Sequence, residues 1–223
     1  MNFRHEYKQE INLSDMLALR QSLSAVMKPD EHSVDGKYLI RSVYFDNIYD
    51  TALLEKINGV NKREKFRIRL YNNDNSFIRL EKKSKINGLC SKESAPLTAE
   101  QAQKTVCGDT DWMKYSDDEL IKEFRQKIIC RGLEAKTIVD YTREAFVFPA
   151  GNVRITLDYN IRTGFAVQDF LSSECVTLPT EDSVIILEVK WDNFLPQVIA
   201  DTVQLKNRRT CSFSKYASCR IYG

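Results

Sequence analysis

The fold of this chain is decided by two neighbouring stretches, Lys65-Phe-Arg-Ile-Arg-Leu-Tyr71 and Phe77-Ile-Arg-Leu-Glu-Lys-Lys-Ser-Lys85. Because successive side chains alternate across a β-strand, each stretch predicts a strand with one apolar face and one charged face. The polar loop 72–76 predicts a hairpin that sets the two charged rows side by side. These rows contain Lys65, Arg67 and Arg69 in the first strand and Arg79, Glu81, Lys83 and Lys85 in the second.

Charged rows of the same kind recur along the chain. They are Arg4, Glu6 and Lys8; Arg154, Thr156 and Asp158; and Glu188 and Lys190. Any single row could be an ordinary solvated sheet face, but such faces usually mix both charges with neutral polar residues. Clustered like charges repel and lower stability, so a fold that keeps them together is expected to bind a strongly, multiply negative partner. Inorganic phosphate chains and nucleoside triphosphates fit this description best.

The remaining pattern predicts an α+β fold built on an antiparallel sheet or barrel, because no regular βαβ alternation is present. Helices are predicted after a cap at Asn12 or Ser14, at the capping boxes Thr98-x-x-Gln101 and Ser116-x-x-Glu119, and over Leu195–Leu205. The Ser116 helix should end near Gly132. The predicted strands are Phe3–Ile11, Tyr38–Phe45, Lys65–Tyr71, Phe77–Lys85, Thr137–Phe148, Val153–Tyr159 and Val184–Trp191.

Composition narrows the functional classes. The chain has 223 residues, and a formal net charge of +2 gives no long-range attraction to nucleic acid or to an anionic membrane. Its length and the absence of a linker predict a single domain over residues 1–223. No apolar run approaches the length of a spanning helix and the first residues are charged, so we expect a cytoplasmic protein without membrane insertion.

The cysteines and histidines predict no metal chemistry of their own. Six cysteines are scattered without a C-x-x-C pair, and there are only two histidines, so zinc-site spacing is absent. We expect reduced, mostly buried thiols, since disulfides are rare in the cytosol.

If the charged faces point inward, they would line a narrow bore. A barrel of about eight strands leaves room for one slender ligand, which favours a thin linear anion over a nucleic-acid duplex. Arg supplies planar forks for phosphate oxygens and Lys supplies mobile point charges. Carboxylates in such a bore would repel phosphate, so Glu6, Glu81 and Glu188 are predicted to bind Mg²⁺ or Mn²⁺.

Eight ordered motifs resemble the catalytic domain of the VTC polyphosphate polymerases, a family of triphosphate tunnel metalloenzymes. They span residues 4 to about 220 and include Gly88 and Lys92 after the fourth. The motifs are Arg4-His-Glu-Tyr-Lys8, Ser42-Val-Tyr-Phe-Asp46, Arg67-Ile-Arg69, Leu80-Glu-Lys-Lys-Ser-Lys85, Tyr141-Thr-Arg143, Arg154-Ile-Thr-Leu-Asp158, Leu187-Glu-Val-Lys190 and Phe213-Ser-Lys-Tyr216.

The resemblance implies an eight-stranded antiparallel tunnel with surrounding helices. It also implies an enzyme that transfers the terminal phosphate of ATP to a growing polyphosphate chain with Mn²⁺ or Mg²⁺. The implied catalytic residues are Arg67, Arg69, Arg143, Arg154 and Lys215, and the implied metal ligand is Glu188, with Glu6 and Glu81 as further candidates. The implied substrate-binding residues are Arg4, Lys8, Lys56, Lys83, Lys85, Lys92, Lys190, Tyr141 and Ser214.

One departure from the superfamily pattern bears on the reaction. Hydrolytic members usually begin with E-x-E-x-K, and here Arg4 replaces the first glutamate while Glu6 and Lys8 remain. A carboxylate exchanged for a cation favours phosphoryl transfer and chain holding over hydrolysis. A tripolyphosphatase or nucleoside triphosphatase, and a non-catalytic polyanion-binding module, stay open as alternatives. The extra phosphate-sensing domain and membrane segment of eukaryotic members do not occur in this sequence, so a stand-alone, bacterial-like form is expected.

Overall fold

The computed structural model describes residues 4–180 and 184–221. Within those ranges the strands are β1 (His5–Ile11), β2 (Lys28–Pro29), β3 (Lys37–Asp46), β4 (Arg63–Tyr71), β5 (Ile78–Ile86), β6 (Leu89–Leu97), β7 (Glu134–Phe148), β8 (Val153–Gly164), β9 (Leu178–Pro179) and β10 (Ile185–Trp191). The α-helices there are α1 (Leu13–Val26), α2 (Thr51–Ile57), α3 (Ala99–Val106), α4 (Glu119–Arg131), α5 (Gln197–Val203) and α6 (Lys215–Ile221). Short 3₁₀ helices cover Asp111–Tyr115, Ala150–Asn152 and Val167–Asp169.

The strands form a single curled antiparallel sheet. Eight of them follow the order β1-β10-β8-β7-β3-β4-β5-β6, while β2 and β9 pair with β7 and β8. The curl brings β1 back to β6, where the backbone N–H of Arg4 donates to the carbonyl of Cys90 at 3.1 Å and Cys90 returns the bond at 3.3 Å. The predicted α+β class and eight-stranded antiparallel tunnel are confirmed.

The seven predicted strands are all present, and β4 and β5 form the expected hairpin, in which Arg67 lies opposite Glu81. The first prediction began at Phe3, which lies outside the described residues. Sequence analysis missed β6, since its polar stretch contains Pro96 and is typical of a loop. Pro96 is tolerated because β6 is the last strand in the sheet order. One side of such an edge strand forms no ladder hydrogen bonds, so the missing N–H of proline costs nothing there.

The helix predictions were confirmed in position and wrong in one cap. Asn12 and Thr98 cap α1 and α3 with the expected reciprocal bonds. Helix α4 is capped by Asp118, whose side chain accepts from the backbone N–H groups two and three residues later, whereas Ser116 bonds to Asp118. The Asp118 carboxylate is the better acceptor and lies next to the first turn, so Asp118 caps the helix and the predicted capping box of Ser116 does not form.

Two short helices escaped sequence analysis, and the prediction that the thiols are mostly buried was wrong. Helices α2 and α6 have seven residues each, too few to show a helical period. The cysteines are free as expected, but Cys107 and Cys130 are exposed because both lie at helix C-termini. Among the described residues, Cys90 and Cys219 are the buried thiols.

The apolar faces of the strands point outward against the helices. On one side the apolar row of β4 packs with Phe124 and Ile121 of α4. On the other side, Leu157 of β8 and Leu187 of β10 pack with helices α1 and α5. The charged rows therefore face the inside of the curled sheet. In the described part of the chain, no helix is long and apolar enough to cross a membrane.

Replacing Phe124 with alanine should lower the free energy of unfolding by about 3 to 5 kcal/mol. The Phe124 ring is fully buried, stacks on Phe66 at 5.0 Å between centroids and meets Phe45 edge-on at 4.9 Å. Urea unfolding measures the change. Tyr115→Ala is the control, because Tyr115 is 87% exposed and its loss should change stability by less than about 0.5 kcal/mol. Equal effects of the two variants would contradict this packing.

Candidate functional site

The first charged group of the inner face surrounds Glu81 and is called the Glu81 cluster. An Arg67 guanidinium nitrogen lies 2.6 Å from the Glu81 carboxylate, Arg69 lies 3.8 Å away and Lys92 lies 3.1 Å away. Burial alone would raise the pKa of Glu81, but Arg67, Arg69 and Lys92 hold it well below its usual range. Glu81 is therefore ionised and tied to the two arginines of the R-x-R motif.

A second group contains Glu6 and Glu188, called the Glu6–Glu188 pair. The Lys8 ammonium lies 3.6 Å from Glu6 and 3.0 Å from Glu188, and Lys190 lies 3.5 Å and 2.5 Å from the same two carboxylates. Lys83 adds a contact of 2.9 Å to Glu6. Burial and the Glu188 charge favour protonated Glu6, yet Lys8, Lys83 and Lys190 lower its pKa to about 2. The two acids share Lys8 and Lys190.

The third group centres on Asp158 of β8. The carboxylate is fully buried and accepts two bonds from Arg143, at 2.6 and 2.7 Å, and one from Lys215 at 2.6 Å. Burial favours the protonated form, but the Arg143 and Lys215 charges lower the pKa of Asp158 to about 2. The two-bond geometry is the fork pairing that arginine makes with a carboxylate or a phosphate.

Tyr141 joins the first and third groups. Its hydroxyl accepts from Arg69 at 3.0 Å, while Arg143 and Lys215 lie 5.4 and 4.6 Å from its ring centroid. Electrostatic interactions of Lys8 with Asp158, and of Arg143 with Glu188, join the third group to the Glu6–Glu188 pair. The three groups therefore surround one bore.

Other predicted residues lie outside these three groups. Arg154 pairs with Asp30 in the turn after β2, and Arg4 bonds to Asp192 at 2.7 Å. Lys56 on α2 donates to the carbonyl of Ser212.

Two further predicted residues, Lys85 and Ser214, also lie outside the three groups. Lys85 lies opposite Arg63 in the sheet. Burial is the main cause that lowers the pKa of Lys56, and the charge of Lys85 lowers it further. Ser214 precedes α6, where its hydroxyl accepts from the backbone of Ala217 at 3.4 Å. The structure thus places Lys56 and Lys85 beyond the three groups, although the charge of Lys8 also helps to lower the pKa of Lys56.

Helix α6 is held so that Lys215 reaches the bore. The Tyr216 hydroxyl donates to Asp46 at 2.9 Å, and its ring stacks on Tyr44 at 5.0 Å. The same Asp46 carboxylate accepts from the N–H groups of Ala52 and Leu53, and so caps α2. Asp46 ties α2, α6 and the bore together.

Sequence reasoning assigned no role to several bore residues that the structure singles out. Lys65 and Tyr44 lie beside Arg67, Asp158 binds Arg143, and Thr156 lies opposite Glu188 in the register of β8 and β10. All four stand in the rows or motifs quoted above, so the signal was present. Their roles depend on contacts between distant strands, which a linear pattern does not show.

The donor atoms around Glu188 fit a hard divalent cation. Among the described residues, the buried Thr156 hydroxyl has no hydrogen-bond partner and stands opposite Glu188. No group of three or more His, Cys, Asp or Glu side chains in that part of the chain could enclose a metal. Mg²⁺ commonly binds one or two carboxylates and takes its remaining ligands from water and substrate phosphates. Glu188, Glu6 and Thr156 match that small donor set.

A curled antiparallel sheet with helices outside and a cation-lined bore defines a β-tunnel protein suited to multiply charged anions. Residues 3–221 match the sequence profile of the VTC domain, so the chain belongs to the VTC domain family. This confirms the family resemblance of the eight motifs. A search of curated protein sequences finds no match.

Solved structures are similar to this chain at low sequence identity. A protein of Bacillus halodurans described as a candidate adenylate cyclase has a TM-score of 0.51 and 13% identity, over 85% of this chain and 80% of that chain. One of Vibrio parahaemolyticus with the same description gives 0.45 and 12%, over 90% and 82%. A Pyrococcus horikoshii protein gives 0.43 and 14%, over 90% and 84%. At 13% identity the Bacillus likeness concerns the fold alone.

Acid should unfold the protein over a defined pH window. The pKa of Glu6 falls from 4.5 to about 2 and that of Asp158 from 3.8 to about 2 on folding, so the unfolded chain binds protons first. The stability these groups contribute is complete above about pH 4.5 and is lost as the pH falls towards 2. Urea unfolding at stepped pH measures this. A free energy of unfolding that stays constant between pH 4.5 and 2 would contradict the ion pairing.

Tyr216→Phe should lower the free energy of unfolding by about 1 to 3 kcal/mol, because Asp46 loses a buried hydrogen-bond donor while the ring stacking is kept. Thermal and urea unfolding check the value. Tyr115→Phe removes an exposed hydroxyl and serves as the control. A Tyr216→Phe variant as stable as the control would show that the Asp46 contact does not hold α6.

Proposed function

We propose that this protein is a metal-dependent polyphosphate polymerase, which transfers the terminal phosphate of ATP to a growing polyphosphate chain. The observation that supports it is the ring of three charged groups around one bore, in which lysines and arginines outnumber the carboxylates. Such a bore neutralises a long anion at many points and admits only a slender one. Membership of the VTC domain family supports the same reading.

The proposed division of roles follows the chemistry of the side chains. Arg67, Arg69 and Arg143 clamp the transferred phosphate, because the guanidinium fork matches two phosphate oxygens. Arg154 joins this clamp only after it leaves Asp30, with which it pairs outside the three groups. The carboxylates that now occupy Arg67 and Arg143 hold them in place until phosphate oxygens compete. Lys8, Lys83, Lys92 and Lys215 hold the acceptor chain as mobile point charges. Arg4, Lys56, Lys85, Lys190, Tyr141 and Ser214 complete the substrate contacts.

Glu188, with Glu6 and the Thr156 hydroxyl, would hold Mn²⁺ or Mg²⁺, which supplies charge neutralisation on the triphosphate when it is bound. We keep Glu81 as a metal candidate only in second place, because both arginines of the R-x-R motif contact it. Lys8 and Lys190 neutralise the Glu6–Glu188 pair in the absence of substrate and are free to turn to phosphate oxygens once it enters.

Phosphoryl transfer needs little covalent help from a protein. The requirements are in-line positioning of donor and acceptor and stabilisation of charge on the equatorial oxygens. Arginines fixed by buried carboxylates are preorganised for that charge, since their orientation is set before the substrate arrives. We further propose that residues 1–223 act as one domain in the cytoplasm, where ATP is supplied.

Incubating the purified protein with ATP and Mn²⁺ tests the reaction. A polymerase yields long chains that resolve as a ladder or smear on a gel stained for polyphosphate. Free phosphate without chains would instead identify a tripolyphosphatase or nucleoside triphosphatase. Thermal stabilisation by tripolyphosphate without any turnover would identify a polyanion-binding module, because any ligand of the native state raises the melting temperature.

Glu188→Ala should abolish turnover while tripolyphosphate binding is largely kept, because the substitution removes a negative charge beside Lys8 and Lys190. Glu119→Ala on α4 is the matched control, since the Glu119 side chain is 87% exposed. Phosphate release and chain synthesis measure turnover, and calorimetry measures binding. Turnover by Glu188→Ala at the rate of the control would refute the metal assignment.

Arg67→Ala should weaken both binding and turnover, with a loss of about 2 to 4 kcal/mol in transition-state stabilisation. Once phosphate displaces Glu81, the Arg67 guanidinium can donate to two phosphate oxygens. Its loss therefore affects substrate binding and the transition state together. The ratio kcat/KM measures the loss. A change in KM alone would limit Arg67 to substrate binding and exclude it from the clamp.

A further inference from the structure

Three lysines stand directly opposite one another on the inner face of three neighbouring strands. Lys65 of β4 pairs in register with Lys83 of β5, and Lys83 pairs with Lys92 of β6. Like charges that face each other across a sheet are destabilising. We call these residues the lysine ladder.

Two members of the lysine ladder are neutralised and one is not. Lys83 contacts Glu6 at 2.9 Å and Lys92 contacts Glu81 at 3.1 Å. Within residues 4–180 and 184–221, Lys65 forms no ion pair with a carboxylate, and its ammonium lies 5.4 Å from the ring centroid of Tyr44. Lys65 is therefore a half-buried cation that lies beside other cations and has no carboxylate to neutralise it in the described chain.

We propose that Lys65 and Lys83 form a subsite for one internal phosphate group of a condensed phosphate chain, with Lys65 as a phosphate ligand. The inference rests on the proposed function only for the class of ligand, a linear polyphosphate. A phosphate group between the two ammonium groups would replace their repulsion by two attractions. Lys65 pairs with no carboxylate in the described chain, so the ligand supplies the missing negative charge.

The groups that face Lys65 make this subsite sensitive to pH. They are Tyr44 on β3, Arg67 on its own strand, Lys83 on β5 and Lys8 on β1, with Tyr216 stacked behind Tyr44. Burial lowers the pKa of Lys65 to about 7, the Tyr44 phenol opposes this, and Lys83, Arg67 and Lys8 add to it. Burial alone would raise the pKa of Tyr44, but Arg67, Lys65 and Arg69 lower it to about 7.

Both titrations act in the same direction. As the pH rises through about 7, loss of the Lys65 proton or of the Tyr44 proton makes the subsite less positive, so it becomes less attractive to an anion. A bound phosphate favours the charged lysine, so binding above that pH takes up a proton. Binding should therefore weaken as the pH rises.

Lys65→Met tests the subsite without requiring turnover. We expect tripolyphosphate, measured by calorimetry in metal-free buffer, to bind about tenfold more weakly or worse, since a charged phosphate contact is lost. We also expect the melting temperature of the ligand-free variant to rise when it is measured below pH 7, where Lys65 is charged, because the uncompensated cation is gone. A lysine with a structural role in its Tyr44 contact would give the opposite shift. Lys122→Met is the control, since it removes an exposed charge from α4.

Lys65→Arg separates charge from proton uptake. Arginine stays protonated, so this variant should keep most of the tripolyphosphate affinity while taking up fewer protons on binding at about pH 8 than the wild type. Calorimetry in two buffers of different ionisation enthalpy counts those protons, and the comparison removes the titration of tripolyphosphate itself. Equal proton uptake by both proteins would overturn the role of Lys65 protonation.

The outcomes are decisive independently of the polymerase assay. Wild-type tripolyphosphate affinity in Lys65→Met, or a lowered melting temperature of that variant, would overturn the subsite. Weaker binding with a raised melting temperature supports it even if ATP and Mn²⁺ yield no chains, because the test measures binding alone. Failure of chain synthesis with intact Lys65-dependent binding would then count against the proposed reaction and leave the subsite standing.

Discussion

The structure depends on a few buried carboxylates that hold a larger set of cations in one bore. Glu6, Glu81, Asp158 and Glu188 each contact two or more lysines or arginines, and Glu81, Asp158 and Glu188 are almost fully buried. Taking charges out of water is costly unless they are paired, and removing one partner leaves the other uncompensated. The carboxylates therefore allow the sheet to close around its charged rows. They also leave a surplus of positive charge that an anion can neutralise.

That surplus connects stability with function. Arginines such as Arg67 and Arg143 are oriented by carboxylates before any substrate arrives, which is the preorganisation that charge-stabilising sites require. Lysines of the Glu6–Glu188 pair can exchange their carboxylates for phosphate oxygens. Lys65 has no such carboxylate in the described chain, so it contributes repulsion until a ligand binds. A protein optimised for stability alone would not keep it there.

Much of the architecture was predictable because the signal was local. In β4 and β5 the alternation of apolar and basic residues identified the strands, their hairpin and their inner face. The reciprocal cap of Asn12 likewise needs only residues a turn apart. Prediction failed for β6, whose Pro96 is acceptable only at an end of the strand order, and for α6, whose seven residues are held by a contact with Asp46, 170 residues away in sequence. Neither condition is visible in a short window.

Which side chains share a strand face follows from the sequence alone, since alternation in a strand is a property of neighbouring residues. The sequence thereby predicts a basic inner surface. Which rows meet depends instead on how the sheet curls. Lys83 contacts Glu6, 77 residues away in sequence, while Lys65 beside it contacts no carboxylate in the described chain. The physical reason is that strand order and curl depend on long-range pairing and on packing of the outer face against helices. Residues far apart in sequence therefore decide which charges are neutralised and which await a ligand.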